Sequence, residues 1–199
     1  MAHEYVTERD KLFEQFGKIP VTGIIRTGLP MTLSFDPGKR NTWWTLWCGR
    51  KLTRSNQLRT PTHVNELVNS ELVRYLRHYF LPELGMLQNP SQNEVVIERY
   101  QHRGPGGGGT QSEVVNAIIF TIAAVARGAG LKVVLVVPSA HKNSYNKHHR
   151  DLYPRKIIKR LGQRHGTWRP RAERLDPCEH VMDSATLGAY RILKREGRI

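Results

Sequence analysis

The sequence predicts an α/β domain in which helices cover a central sheet. Three features of its 199 residues support this fold class. Short β-prone runs alternate with turns from residue 31 onward, two later apolar runs flank a helix-length apolar segment, and a capped helix follows. Because a strand, a helix and a strand in succession favour a parallel pair, part of the sheet is predicted to be parallel.

Residues 1–30 are predicted to form an extension that precedes this domain. A short amphipathic helix over residues 6–17 leads into a link punctuated by glycine and proline, residues 17–30. The early acidic residues are not typical of a signal or transit peptide. The longest apolar stretch, residues 114–126, is shorter than the ~20 residues that cross a bilayer. We therefore expect a cytoplasmic protein without a membrane partner.

The first elements of the domain are predicted to form a β-meander. An apolar run over residues 31–36 ends at a Pro37-Gly38 turn, residues 42–48 are β-prone, and a turn at Gly49-Arg50 leads into a third strand from Lys51. The second run contains three tryptophans. In a strand such side chains more often pack in the core than stack on bases.

The middle of the chain is predicted to alternate helices and buried strands. Residues 63–80 have helical periodicity, and Pro82 is expected to stop this helix. Residues 94–99 and 132–137 are short β-branched runs typical of buried strands. Residues 111–127, between them, are apolar nearly all round, which is typical of a buried helix.

The last helix has a recognisable start. Asp176 is placed as its N-cap, Pro177 lies in the first turn, and Glu179 follows three residues after the cap. The helix is predicted to run toward Lys194.

The charge of the chain predicts a polyanionic partner. Lys and Arg number 31 against 17 Asp and Glu, a net charge of +14. Residues 139–174 alone hold eleven Lys or Arg against Asp151 and Glu173, and so supply +9 of this charge. Nucleic acid is the default partner for such a surplus.

Neither the cysteines nor the histidines predict a zinc site. Cys48 and Cys178 are the only cysteines, they lack zinc-ligand spacing, and their small number is typical of a reducing compartment. The histidines of the basic segment have no regular spacing, so we expect them to make polar contacts in a DNA-facing segment. They are His141, His148, His149 and His165.

Three acidic residues lie where the predicted elements would direct them to a common point. Asp36 and Glu98 end predicted strands, and Asp183 lies on the last helix, where His180 shares its face. Clustered carboxylates repel one another and stay ionised only beside a cation. Mg²⁺ or Mn²⁺ suits carboxylate oxygens, and two such ions can activate water and stabilise the leaving 3′ oxygen of a phosphodiester. The cluster therefore predicts a metal-dependent nuclease.

Each acid also has a simpler explanation. Asp36 fits the first position of a β-turn, Glu98 can mark the end of a strand, and Asp183 is favoured by the helix dipole in a first turn. In a noncatalytic basic nucleic-acid-binding protein, the acids would have these roles alone. Their ordered combination in a basic chain favours the nuclease.

Four segments, taken in order, match the pattern of a known family. They are Leu33-Ser34-Phe35-Asp36-Pro37-Gly38-Lys39, Val95-Val96-Ile97-Glu98, Val137-Pro138-Ser139-Ala140-His141-Lys142 and His180-Val181-Met182-Asp183-Ser184. Over about residues 31–196 the chain resembles the RuvC-type Holliday junction resolvases, of the divergent sort found in bacteriophages. The resemblance implies a ribonuclease H-like fold with a central mixed five-stranded sheet. It also implies a nuclease domain over residues 31–199, with a basic insert at about 143–174.

The resemblance further implies a role for each site residue. Asp36 would bridge two Mg²⁺ or Mn²⁺ ions, Glu98 would bind one ion and Asp183 the other. His180 would be a ligand or orient the attacking water, and Lys142 matches a basic residue near the scissile phosphate. Family enzymes act as homodimers that nick two strands of a four-way DNA junction. A phage-encoded member would work in the cytoplasm of the bacterial host.

Basic side chains are predicted to contact DNA phosphates without reading sequence. Arg50 and Arg54 belong to an acid-free stretch between residues 39 and 60. Tyr100 is a candidate to stack on a base, with packing as its alternative role. The predicted DNA-binding residues are Lys39, Arg40, Tyr100, Arg103, Lys142, Lys147, Arg155, Lys156, Lys159 and Arg160. The nearest alternative function is another ribonuclease H-like nuclease, which cuts forks, flaps or duplex DNA.

Overall fold

The computed structural model of the chain describes residues 28–38, 41–59, 66–100, 110–144 and 179–199. The helix predicted over residues 6–17 and nearly all of the basic insert lie outside these ranges, as do Asp176 and Pro177. Among the described helices, none has the length and apolar character needed to span a membrane.

Five strands form one mixed sheet in the order β3-β2-β1-β4-β5. The strands are β1 (Met31–Asp36), β2 (Asn41–Cys48), β3 (Lys51–Arg59), β4 (Glu94–Glu98) and β5 (Lys132–Val136). The first three form the antiparallel meander, whereas β4 pairs with β1, and β5 with β4, in parallel. The α/β class and the mixed five-stranded sheet are therefore confirmed.

Helices cover both faces of this sheet. They are α1 (Glu66–Tyr75), α2 (Thr110–Gly128), α3 (Pro138–Ser144) and α4 (Glu179–Arg195). The main apolar core lies between one sheet face and helices α1 and α2, while α4 crosses β1, β2 and β4 on the other face and contacts α3. The short helix α3 was not predicted.

The first helix ends differently from the prediction. It continues through a π-helical turn (Leu76–Phe80) into a final turn (Leu81–Glu83), so Pro82 does not stop it. The π-helical turn pairs the Leu81 N–H with the Leu76 carbonyl, and this shifted pattern accommodates a residue that has no N–H. Gly85 ends the helix at φ +72°, where its N–H donates to the Pro82 carbonyl, as in a Schellman motif.

Predictions about burial had two outcomes. The three tryptophans of β2, Trp43, Trp44 and Trp47, are buried as expected. Strand β5 was expected to be buried but lies at the edge of the described sheet, and Leu135 is 39% exposed. A strand with a neighbour on one side only is covered less completely, so its apolar residues do not require full burial.

Alternation of side chains gives the two faces of β1 and β4 opposite chemistry. Leu33 and Val95 represent the odd-numbered positions, which enter the core against α1 and α2. The even-numbered positions, from Thr32 to Asp36 and from Glu94 to Glu98, therefore face α4. Asp36 and Glu98, the two acids that the strands supply to the candidate site, lie on this face.

A seam of hydrogen bonds fixes α4 on the sheet. Ser34 Oγ donates to the Ser184 carbonyl (2.8 Å), Ser184 Oγ donates to the Ser34 carbonyl (3.0 Å), and Thr45 Oγ1 donates to the Ser184 carbonyl (3.1 Å). One turn further on, a Cβ at Gly188 would meet the Trp47 indole, so only glycine permits this approach. The seam places Asp183 beside the end of β1.

Candidate active site

Four of the predicted site residues lie around the C-terminal ends of the inner strands β1 and β4. Phe35 lies beside Ile97 in the parallel pairing of β1 and β4, so the next residues, Asp36 and Glu98, end neighbouring strands at the same level. Both face α4, which supplies His180 and Asp183. The structure thus brings His180 into contact with Asp36 and places Glu98 and Asp183 close enough for their charges to act on Asp36.

Asp36 is the buried centre of this cluster. The Nδ1 atom of His180 lies 2.8 Å from Asp36 Oδ2, and the His180 side chain is 62% exposed. The contact joins residues 144 positions apart. A β-turn role alone does not account for Asp36, because its carboxylate is engaged by a distant helix.

The electrostatics of the cluster disfavour the ionised form of Asp36. Burial raises the pKa of Asp36, and the negative charges of Glu98 and Asp183 raise it further, while the hydrogen bond with His180 opposes the shift in part. The site therefore favours a positive charge, either a proton or a bound cation, beside Asp36.

Glu98 is held by a residue that the sequence interpretation placed elsewhere. His141 was expected in a DNA-facing segment, but it is fully buried, with Nε2 2.6 Å from Glu98 Oε2 and Nδ1 3.1 Å from Thr186 Oγ1. The expectation was wrong because α3 packs against α4. A signal did exist, since residues that follow β5 must emerge beside the end of its parallel neighbour β4.

The remaining predicted site residues are described only in part. The backbone of Lys142 lies on α3, and its side chain is outside the description. Tyr100 is half-buried and packs against the main core, as its alternative role requires. The DNA-binding predictions for the others stay predictions, because these residues lie outside the described ranges: Lys39, Arg40, Arg103, Lys147, Arg155, Lys156, Lys159 and Arg160.

Two arginines of the acid-free stretch do not form an open phosphate-binding surface. Arg54 is 4% exposed, and burial lowers its pKa, so its predicted phosphate contact was wrong. Arg50 donates from Nε and Nη2 to the two carboxylate oxygens of Glu196, at 2.9 Å and 2.6 Å. The positive charge of Arg50 is thus already matched by Glu196, the residue that follows α4.

The donor set of the cluster fits a hard divalent cation. The carboxylates of Asp36, Glu98 and Asp183 are the ligands that Mg²⁺ and Mn²⁺ prefer, and a cation would offset the repulsion felt by Asp36. Within the described ranges, no three His, Cys, Asp or Glu side chains are already arranged around one point as a metal site. One oxygen of Asp36 and one of Glu98 instead contact histidines.

Comparison with known proteins gave matches in structure alone. No family model matches the sequence, and no curated protein matches it. RuvC of T. thermophilus in complex with a Holliday junction substrate aligns with a TM-score of 0.55 at 14% identity, over 84% of this chain and 96% of that chain. Another Thermus thermophilus RuvC structure gives 0.54 at 13% identity, over 84% and 97%.

A Holliday junction resolvase of fowlpox virus also aligns, with a TM-score of 0.44 at 14% identity, over 83% of this chain and 99% of that chain. The two RuvC alignments exceed 0.5 and include nearly the whole RuvC chain. They confirm the fold that the four sequence segments predicted. The described part of this chain has the RuvC-like, ribonuclease H-like fold.

Proposed function

We propose that the protein is a metal-dependent, structure-selective DNA endonuclease that resolves four-way junctions. The observation that carries this proposal is the arrangement at the ends of β1 and β4. There Asp36 contacts His180 and lies within the influence of the charges of Glu98 and Asp183. A net charge of +14 supports a nucleic-acid substrate. Likeness to a RuvC whose structure contains a Holliday junction supports branched DNA as that substrate.

The chemistry follows from the residues present. Asp36 would lie between two Mg²⁺ or Mn²⁺ ions, Glu98 would hold one and Asp183 the other. Bound ions would activate the attacking water and stabilise the leaving oxygen. His180, exposed and within hydrogen-bond distance of Asp36, would orient that water or turn to become a ligand. The water oxygen would bond to phosphorus as the P–O3′ bond breaks, and a proton lost by the water would reach the 3′ oxygen through solvent, which gives a 5′-phosphate and a 3′-hydroxyl.

DNA affinity would come from the predicted basic DNA-binding residues. The family resemblance gives Lys142 the contact with the scissile phosphate, and we propose that role for it here. The basic insert would bind further phosphates and make affinity steeply dependent on salt. Such contacts respond to the shape of a branched duplex rather than to base sequence.

The outer face of α2 supports a symmetric homodimer. Glu113, Phe120 and Arg127 are all exposed, Phe120 by 65%, and they recur every seven residues, which places them on one helix face. In an antiparallel pair centred on Phe120, Glu113 of one copy faces Arg127 of the other. One patch then complements itself, as a two-fold interface requires.

Light scattering on a sizing column tests this dimer. Phe120→Glu should give a monomer, because it puts two negative charges at the symmetry axis. Glu113→Arg should weaken the dimer, and adding Arg127→Glu should restore it. A dimer that survives Phe120→Glu would exclude this face.

Cleavage of a synthetic four-way junction tests the site. Asp36→Asn and Asp183→Asn should each lower the rate in Mg²⁺ by about 1,000-fold or more, since several kcal/mol of transition-state stabilisation are lost. Junction binding in Ca²⁺ should persist. Glu71→Gln, on the opposite face of the sheet, is the control and should cut normally. Unchanged cleavage by Asp36→Asn would overturn the site and favour a noncatalytic binding protein.

A panel of substrates separates junction resolution from other nuclease activities. We expect paired nicks on the four-way junction and much slower cutting of forks, flaps and linear duplex. Equal rates on forks and junctions would favour the alternative ribonuclease H-like nuclease.

A further inference from the structure

His141 is the one fully buried histidine of the described residues, and both of its ring nitrogens make contacts. Nε2 lies 2.6 Å from Glu98 Oε2, and Nδ1 lies 3.1 Å from Thr186 Oγ1. These contacts join the end of β4 to α4 through α3. None of the roles assigned above to the metal ligands requires this histidine.

The Thr186 hydroxyl determines which atom donates and which accepts in its contact with His141. A hydroxyl has one hydrogen, and Thr186 Oγ1 donates it to the Asp183 carbonyl at 2.9 Å. Toward His141 the hydroxyl oxygen must therefore accept, so His141 Nδ1 carries a hydrogen. The side chain of Thr186 thus links His141 to the turn of α4 that holds Asp183.

The contact with Glu98 is then also determined. A separation of 2.6 Å between Nε2 and Oε2 requires one hydrogen between the two atoms. That hydrogen holds Oε2 against His141, whichever of the two atoms carries it. A cation bound by Glu98 would consequently meet Oε1, in an orientation that the buried imidazole has set in advance.

We propose that His141 and Thr186 are positioning residues. They orient the Glu98 carboxylate and hold it in place relative to Asp183 for metal binding. This inference rests on the proposed metal-dependent function. Partners that orient a ligand in this way usually change metal affinity by about 10- to 100-fold when they are removed.

Calorimetric titration of the full chain with Mn²⁺ alone tests the proposal. Thr186→Val keeps the shape of the side chain and removes the hydroxyl, and His141→Gln removes the ring. Each should weaken Mn²⁺ binding by about 10-fold or more. Thr186→Ser retains a hydroxyl and should bind nearly as the wild type does.

Thr42→Val is the matched control. Thr42 is fully buried on β2, its hydroxyl has no hydrogen-bond partner in the described part of the chain, and its position alternates onto the face away from α4. This variant should leave Mn²⁺ binding unchanged. Melting temperatures in EDTA show that each variant is folded, and His141→Gln serves if Thr186→Val is not.

A second measurement separates positioning from a merely structural role. Cleavage by Thr186→Val should recover toward the wild-type rate as Mg²⁺ is raised, so the loss lies in metal affinity. Wild-type Mn²⁺ affinity in both folded variants would overturn this proposal and leave the proposed function standing. A wild-type chain that binds neither Mn²⁺ nor Mg²⁺ would overturn both.

Discussion

Glu94 and Glu98 lie on the same strand and the same face, about 13 Å apart at ~3.3 Å per residue, yet their surroundings differ. Glu94 is 3% exposed and accepts hydrogen bonds from Arg191 Nε (2.9 Å), Arg195 Nη1 (3.3 Å) and Thr32 Oγ1 (3.3 Å). Glu98 contacts one histidine, and its charge, like that of Asp183, acts on Asp36. The partners on α3 and α4, rather than the strand, determine what each glutamate does.

The difference extends along the whole of α4. Opposite charges meet at its C-terminal end. Arg191 and Arg195 pair with Glu94, and Glu196, the residue after the helix, pairs with Arg50. The N-terminal half of α4 brings Asp183 toward Asp36, a like charge that raises the pKa of Asp36. The C-terminal end of the helix stabilises its attachment to the sheet, whereas the N-terminal end brings like charges together.

Among the substitutions that test this comparison, Glu94→Gln should change the free energy of unfolding most. The change leaves two partly buried arginines without their counter-charge, and we expect the free energy of unfolding to fall by about 3 kcal/mol. Urea denaturation followed by circular dichroism measures it. The glutamine retains the size of the side chain, so the loss reports charge rather than packing.

Arg195→Gln is the comparison for this variant. Its side chain is 30% exposed, against 13% for Arg191, and its removal leaves Arg191 paired with Glu94. The cost should be less than half that of Glu94→Gln, and Mn²⁺ affinity should be unchanged in both. Equal costs would mean that the pair with Arg195 alone accounts for the loss, and that the pairing of Glu94 with Arg191 adds nothing.

Sequence alone predicted most of what depends on strand order and alternation. Asp36 and Glu98 could be placed together because each ends a predicted strand, and His180 with Asp183 because their spacing defines one helix face. The family resemblance supplied the order of these elements. Boundaries of β1, β2 and α2 follow from local patterns that the structure retains.

What sequence could not predict depends on packing between distant elements. His141 lies among lysines and histidines, whose composition resembles a solvated segment, and only the packing of α3 against α4 buries it. Arg54 lies in a basic run, but alternation on β3 turns it inward. Pro82 would stop the helix if no π-helical turn preceded it. The local sequence has no pattern that predicts this turn.

An intermediate effect, of opposite sign, should come from Asp36→Asn in the metal-free protein. Removing a buried charge that Glu98 and Asp183 repel should raise the free energy of unfolding by about 1 kcal/mol at pH 7 in EDTA, a usual gain when a functional site is neutralised. The same variant is expected to lose cleavage. Thermal melting in EDTA measures the gain in stability, and junction cleavage in Mg²⁺ measures the loss of activity.

The pH dependence of that gain has a definite sign. The folded pKa of Asp36 lies above its usual value of 3.8, so the folded state binds this proton more tightly than the unfolded state. The penalty in the wild type is therefore full above the folded pKa, and it fades as pH falls through that value toward 3.8. The advantage of Asp36→Asn should shrink over the same interval. A constant advantage down to pH 4 would contradict the assignment to charge.

The smallest effect should come from Glu196→Gln, at the other end of the helix. The pair with Arg50 has good two-pronged geometry, but Arg50 is 53% exposed, and such surface pairs usually contribute only about 0.2 to 1 kcal/mol. The hydrogen bond with Arg50 lowers the pKa of Glu196, so the contribution is present above about pH 4.5 and lost as pH falls through the lowered value. A double-mutant cycle with Arg50→Gln at low and high salt isolates it. A coupling that survives high salt would show that this exposed pair stabilises the fold as the buried pairs of Glu94 do. The difference between the two ends of α4 would then come from the sign of the charges that meet there, and not from their burial.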